Sequence, residues 1–205
     1  MPTTSAIVRI VSVPLARLIA LVLSVATLAF AAAGCGGGGS DSSSGTNPDT
    51  WAADVCGALQ TWTNDIKSKS QALSSDLGSS SDFKAAKQKV VSFLEDVKQS
   101  TQTMVDDVKA AGAPSTKNGK TIQSELESGL TGVRDTFDHA ATQAKQLDTS
   151  NPRAFVNGVT DLSQQIQTEG QDVAKHFQNV EDTGGELNDA IKNEPSCKSF
   201  TSSSG

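Results

Sequence analysis

Residues 83–111 decide the fold of this chain, and they read FKAAKQKVVSFLEDVKQSTQTMVDDVKAA. Apolar or small side chains recur there every third or fourth residue, with polar residues between them. The members of this stripe are Phe83, Ala86, Val90, Leu94, Val97, Thr101, Met104, Val108 and Ala111. This spacing places a narrow stripe on one face of an α-helix, whereas a strand would need strict alternation. The stretch therefore predicts one long helix of a helical bundle.

Three further stripes of the same kind flank this helix. They predict a first helix from Trp51 to Leu77, a third from Ile122 to Leu147 and a fourth from Phe155 to Val180. The four helices would be roughly 25 to 33 residues long, and the short loops between them would make neighbouring helices antiparallel. The expected fold is therefore all-α, an up-down-up-down four-helix bundle.

The breaks between the stripes contain residues that end or start helices. Gly112 accepts the left-handed conformation that closes a helix, and Pro114 cannot continue one. Ser81 is the expected N-cap of the second helix. Asn151 is the expected N-cap of the fourth helix, with Pro152 at its first position.

The domain organisation follows from where these signals stop. The bundle is expected to occupy residues 50–200 as one domain, because no second linker interrupts it. Within it, residues 186–193 would form a short C-terminal helix, and residues 201–205 would form a disordered tail. Residues 35–49 begin CGGGGSDSSSGTN and offer almost no apolar side chain to bury, which predicts a flexible tether.

Residues 1–34 have the features of a secretory signal peptide. Arg9 and Arg17 precede a nearly unbroken apolar run from Leu18 to Ala33, and the segment contains no acidic residue. The run is shorter than the roughly 20 residues that a transmembrane helix needs. Export is therefore expected, and the alternative is an uncleaved membrane anchor.

The signal peptide ends in Ala32-Ala33-Gly34-Cys35. This sequence resembles the lipobox of bacterial lipoproteins, although leucine is more common than alanine at the position of Ala32. The resemblance implies cleavage between Gly34 and Cys35, a diacylglyceryl group on Cys35, and a mature protein anchored at the extracytoplasmic face of the cell membrane. The alternative is cleavage after Ala29-Phe30-Ala31, which would leave Cys35 as a free thiol.

The number of cysteines bears on this choice. The chain has three, Cys35, Cys56 and Cys197, and an odd cysteine is unusual in an exported protein. If Cys35 is acylated, Cys56 and Cys197 can pair in the oxidising environment outside the cytoplasm. The start of the first helix and the end of the fourth lie at the same end of an up-down bundle. A Cys56–Cys197 disulfide is therefore predicted, with Cα atoms within about 7 Å of each other.

Short motifs near the loop between the second and third helices resemble uncharacterised secreted helical-bundle proteins of actinobacteria. The residues that carry the resemblance are Gly112-Ala113-Pro114 and Asn118-Gly119, together with an early Cys56 and a late Cys197. The resemblance covers residues 51–200. It implies a helical fold and a Gram-positive cell envelope, and this family has no assigned activity.

The composition and the motifs argue against several classes of function. The chain has 23 acidic and 17 basic residues, two tryptophans and no tyrosine. Nucleic-acid binding is not expected, because it needs a positive stripe for phosphates and aromatic platforms for bases. The sequence contains no G-x-S-x-G, P-loop or dinucleotide fingerprint. We therefore expect no catalytic residues, no cofactor and no enzymatic activity.

The two histidines do not predict a metal site. His139 follows Asp135 by four residues and His176 follows Asp172 by four, so each pair shares a helix face. In the bundle, the two histidines would lie at heights that differ by roughly 20 Å, too far apart to bind one ion. Two solvated surface pairs are expected, and no metal ligands.

Two acidic pairs on the second helix allow two interpretations. Glu95-Asp96 and Asp106-Asp107 lie eleven residues apart and hence on nearly the same side. They could bind a divalent cation or a basic partner. The favoured interpretation is a solvated face whose acids are balanced by lysines.

These observations predict a non-catalytic, monomeric binding or envelope-interaction module whose partner the sequence does not identify. The alternative is a carrier of an apolar ligand between the third and fourth helices. It is motivated by the glycines that interrupt them: Gly129, Gly132, Gly158 and Gly170. These glycines permit either close helix packing or a cavity, and a cavity above about 300 Å³ would favour the carrier.

Overall fold

A computed structural model describes residues 45–78, 82–183 and 185–198 of the 205-residue chain. The predicted signal peptide, the lipidation and cleavage site at Gly34-Cys35 and the predicted tail at 201–205 lie outside the described residues.

The described chain folds as an all-α helical bundle, which confirms the predicted fold class. Four long helices follow one another: α1 (Pro48–Gly78), α2 (Phe83–Ala111), α3 (Gly119–Ala144) and α4 (Pro152–Thr183). They contain 31, 29, 26 and 32 residues. A C-terminal segment (185–198) then forms a 3₁₀ turn (Gly185–Leu187), a short helix α5 (Asn188–Asn193) and a second 3₁₀ turn (Pro195–Cys197).

The helices pack in the order of the chain. α1 packs against α2, α2 against α3, and α3 against α4, and their buried faces join in one apolar core. Within the described residues, α1 and α4 approach each other closely at few positions. The C-terminal segment instead packs against α1, so that this segment closes the bundle on the side of the first helix.

The apolar stripe that predicted α2 is largely its buried face. Phe93 and Val105 are also buried although they were not assigned to the stripe, so the buried face is wider than the spacing indicated. Thr101, a polar member of the stripe, is fully buried and accepts a hydrogen bond from the Trp62 indole N–H at 3.0 Å. The pair ties α1 to α2 inside the core.

Gly112 and Asn151 end and cap the helices as predicted, but the start of α2 differs from the prediction. Gly112 closes α2 with φ of 70°, a left-handed conformation that favours glycine. The Asn151 side chain accepts a hydrogen bond from the Ala154 amide at 2.9 Å and caps α4. The N-cap of α2 is Asp82, whose side chain accepts from the Lys84 amide, so the assignment of this cap to Ser81 was wrong. Aspartate is as good an N-cap as serine, and the sequence offered both in succession.

The predicted boundary between tether and bundle at residues 49 and 50 is also corrected. α1 begins at Pro48, and the Asn47 side chain caps it by accepting from the Asp49 amide at 2.9 Å. The preceding Thr46 is hydrogen-bonded to the α2–α3 loop (residues 112–118). The fold therefore starts by Gly45, and the tether is shorter than predicted.

Glycines in α3 and α4 permit close approach of neighbouring side chains. A Cβ atom at Gly132 would lie 2.8 Å from Val173 Cγ2, and one at Gly158 would lie 2.6 Å from Leu147 Cδ2. At Gly129 the nearest atom would be Phe177 Cζ at 3.1 Å. At these three positions the space is filled, which supports close packing over the cavity that an apolar carrier would need.

This packing predicts opposite effects for two glycine-to-alanine substitutions. Gly132→Ala should lower the free energy of unfolding by about 1 kcal/mol, because overpacking against the stiff Val173 side chain outweighs the gain in helix propensity. Gly57→Ala, in α1, should raise it by about 0.5–1 kcal/mol, since its new Cβ would meet nothing within 4 Å. Urea unfolding followed by circular dichroism measures both, and equal shifts would contradict the close α3–α4 packing.

Candidate functional site

The predicted disulfide is present and lies at the end of the bundle where α1 starts. Cys56 and Cys197 are bonded, with Cα atoms 5.1 Å apart, well inside the predicted limit. Both residues are buried. The bond joins the third turn of α1 to the C-terminal segment across 141 residues of sequence.

Three hydrogen bonds fix the start of the fold to the α2–α3 loop at the same end. The Thr46 amide donates to the Ala113 carbonyl at 2.8 Å, and the Ser115 amide donates to the Thr46 carbonyl at 2.7 Å. The Thr46 hydroxyl donates to the Ala111 carbonyl at 2.6 Å. Thr46, which lies within the predicted tether (residues 35–49), is therefore held by the bundle. Sequence analysis missed this interaction, because the segment's composition resembled the rest of the tether.

Two more contacts converge on this loop. The indole N–H of Trp51, which is 1% exposed, donates to the Gly112 carbonyl at 2.9 Å. The Glu186 carboxylate of the C-terminal segment accepts from the Lys117 amide at 2.8 Å. We call this end of the molecule the anchored end: the start of α1, the α2–α3 loop and the C-terminal segment. Its parts are joined by hydrogen bonds and by the disulfide.

The two histidines link α3 to α4, each through a glutamate of the other helix. His139 Nδ1 lies 3.3 Å from Glu169, and His176 Nδ1 lies 2.7 Å from Glu125. Asp135, the expected neighbour of His139, instead accepts from Arg134. The side chain of Asp172 lies outside the described residues. The histidines thus contact separate carboxylates, and within the described residues no three metal-ligating side chains are grouped to hold an ion.

The contact with His176 makes the contribution of Glu125 to the stability of the fold dependent on pH. Hydrogen bonds from His176 and Asn179 hold the pKa of Glu125 below its ordinary value of 4.5, against the small opposing effect of desolvation. A lowered folded-state pKa stabilises the fold above pH 4.5, and this contribution is lost as the pH falls through the folded-state value.

Glu125→Gln should therefore flatten the acid side of the stability profile. Between about pH 6 and about pH 3, the variant should lose less of its free energy of unfolding than the wild type does. His176→Gln removes the main cause of the pKa shift and should flatten the profile in the same direction. Urea unfolding at several pH values measures this, and profiles parallel to that of the wild type would count against the Glu125–His176 contact.

The acidic pairs of α2 are partly balanced by cations. Glu95 forms an ion pair with Lys145 at 2.7 Å, and Lys98, which follows the first acidic pair, forms an ion pair with Asp138 of α3 at 2.6 Å. The hydrogen bond from Lys98 lowers the pKa of Asp138. Asp106 accepts a hydrogen bond from the side-chain amide of Gln102 at 2.9 Å. These contacts favour the solvated, charge-balanced face over a cation site.

An open groove of about 310 Å³ lies between α1 and α2, toward the end opposite the anchored end. Its floor includes the buried Leu73 and Phe93, and the Lys89–Asp76 ion pair crosses it at 2.5 Å. Nearby, Asp65 is partly desolvated, which raises its pKa, but hydrogen bonds from Lys69 and Ser100 outweigh this and leave the pKa lowered. The groove is lined by paired charges, unlike the apolar cavity that a carrier between α3 and α4 would need.

Comparison with models of protein families, with curated proteins and with solved structures finds no match for this chain. The resemblance to secreted proteins of actinobacteria therefore stays a prediction from short motifs. No helix in the described ranges combines the length and apolar character needed to cross a bilayer.

Proposed function

We propose that this protein is a lipoprotein anchored at the extracytoplasmic face of the cell membrane, and that its bundle is a non-catalytic binding or envelope-interaction module. The anchor would be the acylated Cys35, released from the signal peptide by cleavage after Gly34. The partner is a protein or another component of the envelope.

The observation that carries this proposal is the pairing of cysteines. Cys56 and Cys197 are bonded to each other, so Cys35 is left as the third and unpaired cysteine of the chain. Acylation gives that thiol a role, whereas the alternative cleavage after Ala31 would leave it free in an exported protein. The apolar segment before Ala32-Ala33-Gly34-Cys35 is consistent with export.

The non-catalytic part of the proposal is supported by the distribution of polar groups. Catalysis needs several titratable groups that meet in one pocket. In the described residues, ionic contacts such as His176–Glu125 and Lys98–Asp138 join neighbouring helices along the bundle surface, and no histidine lines the α1–α2 groove. Such contacts hold helices together and leave the surface available for a partner.

Cys35→Ala tests the anchor. The variant should incorporate at least about tenfold less of a fatty-acid analogue fed to the cells, and it should appear in the medium or as unprocessed precursor, because stable anchoring needs the acyl chains. Its helical content should be unchanged, since the fold starts at Gly45. The matched control replaces Cys56 and Cys197 by alanine and should keep the label. Equal label on Cys35→Ala and wild type would remove Cys35 as the anchor.

Native mass spectrometry of the protein released from its own membrane distinguishes the module from the carrier. A bound polypeptide or envelope fragment in a stoichiometric complex would support the module. Bound lipid of defined mass, retained after the anchor is cleaved, would support the carrier instead.

A further inference from the structure

The position of Thr46 fixes where the tether meets the bundle. The backbone and side-chain hydrogen bonds of Thr46 attach it to Ala111, Ala113 and Ser115. The chain toward Cys35 therefore leaves the fold beside the α2–α3 loop, at the anchored end, and not from the side of the bundle.

The antiparallel topology separates this end from the opposite one by the length of a helix. α1 has 31 residues, which corresponds to about 46 Å. The end of α1 at Gly78, the start of α2 at Phe83 and the connection at 144–152 lie at the far end, which we call the outer end. The start of α1, the α2–α3 loop and the C-terminal segment lie together at the anchored end.

The tether is shorter than the bundle. Ten residues separate Cys35 from Gly45, and even a fully extended chain of that length spans only about 35 Å. A molecule anchored at Cys35 therefore cannot stand with its outer end on the membrane and its anchored end about 46 Å above it. Every arrangement that the tether allows keeps the start of the fold, at the anchored end, within about 35 Å of the lipid surface.

The anchored end has a surface suited to lying beside a membrane without entering it. Its large apolar side chains, Trp51, Leu187 and Ile191, are buried. Its exposed residues carry charges of both signs, and they include Asp49, Lys117, Lys120, Glu186, Asp189 and Lys192. Within the described residues, this surface offers neither an apolar wedge for insertion nor a basic patch for strong binding to anionic lipid.

We propose that the anchored end is the membrane-facing surface, that it contacts lipid headgroups only because the tether holds it there, and that the outer end projects away from the bilayer. The α1–α2 groove then opens on the part of the bundle that faces envelope partners. This inference rests on the proposed anchor at Cys35, and it adds which end of the molecule a partner can reach.

The test couples protein beginning at Cys35, which retains every described residue, to a maleimide-headgroup lipid. The vesicles contain phosphatidylcholine, phosphatidylglycerol and an acceptor-labelled lipid. Cys35 is the only free thiol once Cys56 and Cys197 are bonded. A donor dye is attached through a clickable lysine analogue at exposed Lys120, at the anchored end, or at exposed Lys84, at the outer end. Energy transfer from position 120 should exceed that from position 84 by about twofold or more, since a helix length separates them.

Two controls isolate the cause of the difference. A Gly/Ser insertion of about 30 residues between Ser44 and Gly45 should reduce the difference between the dyes, because the lengthened tether allows every orientation. Cys35→Ser protein, which cannot couple, should give no transfer above background. Equal transfer from the two positions of the short-tether protein, greater transfer from position 84, or binding of the uncoupled protein would overturn the proposal. Coupling in vitro bypasses cellular acylation, so failure here is distinguishable from failure of Cys35 labelling in cells.

Discussion

Replacing Cys56 and Cys197 together by alanine is expected to lower the free energy of unfolding by about 2–5 kcal/mol. The bond closes a loop across 141 residues, and removing it restores that conformational freedom to the unfolded chain. The native state should be affected as well. Because α1 and α4 approach each other closely at few positions, the C-terminal segment supplies much of the closure between the two ends of the chain.

The double substitution should therefore have a global effect on stability and a local effect on the native state, and separate measurements can distinguish the two. Urea unfolding gives the global loss of stability, and wild-type protein treated with a reductant should show a similar loss. Amide hydrogen exchange should accelerate first in the C-terminal segment and the start of α1. Cys35→Ala is the matched control and should leave both measurements unchanged, since Cys35 precedes the fold. A global loss below about 1 kcal/mol would mean that the bundle is closed without the disulfide.

The sequence predicted the helices and their order because side-chain spacing depends only on the local period of a helix. The stripe in residues 83–111 required no knowledge of its neighbours, and neither did the caps at Gly112 and Asn151. The disulfide could also be predicted from the sequence, since the connectivity of the bundle brings the start of α1 and the end of the chain together. These features follow from spacing and topology alone.

The partners of individual side chains could not be predicted in the same way. Helical period identifies a face but not how neighbouring helices slide and rotate against each other. His139 and Asp135 share a face of α3, yet His139 lies beside Glu169 of α4. That register depends on the close approach at positions such as Gly132, which only the packed structure contains.

The contacts at the anchored end were even harder to predict from the sequence. Thr46 lies at the end of a Gly/Ser-rich segment whose composition predicts a tether. The following Asn47-Pro48 has the same pattern as the cap at Asn151-Pro152 and marks the start of α1, but it does not indicate that Thr46 contacts a distant loop. The position of Thr46 is determined by the carbonyls of the α2–α3 loop, which lie more than sixty residues away in sequence. A composition-based boundary therefore placed the end of the tether several residues too late.

Trp51→Ala is expected to lower the free energy of unfolding by about 3–5 kcal/mol, the usual cost of removing a buried tryptophan. Trp51 is fully buried, and its indole N–H is the hydrogen-bond donor that joins α1 to the Gly112 carbonyl. Trp51→Phe keeps most of the apolar volume but leaves that carbonyl without its indole partner, so its cost should be about 1–3 kcal/mol. The difference between the two variants separates packing from hydrogen bonding.

Trp62→Ala is the matched control, because Trp62 is also buried and also donates from its indole, to Thr101. Its global cost should be similar, but it acts in the α1–α2 seam, away from the loop. Only the Trp51 variants should accelerate exchange of the Thr46 and Ser115 amides, which donate across the contact between the chain start and the α2–α3 loop. If Trp51→Phe left those two amides as protected as in the wild type, the loop would hold Thr46 without help from α1. The start of the fold would then be held on the α2–α3 loop by the three Thr46 hydrogen bonds, without the Trp51 contact.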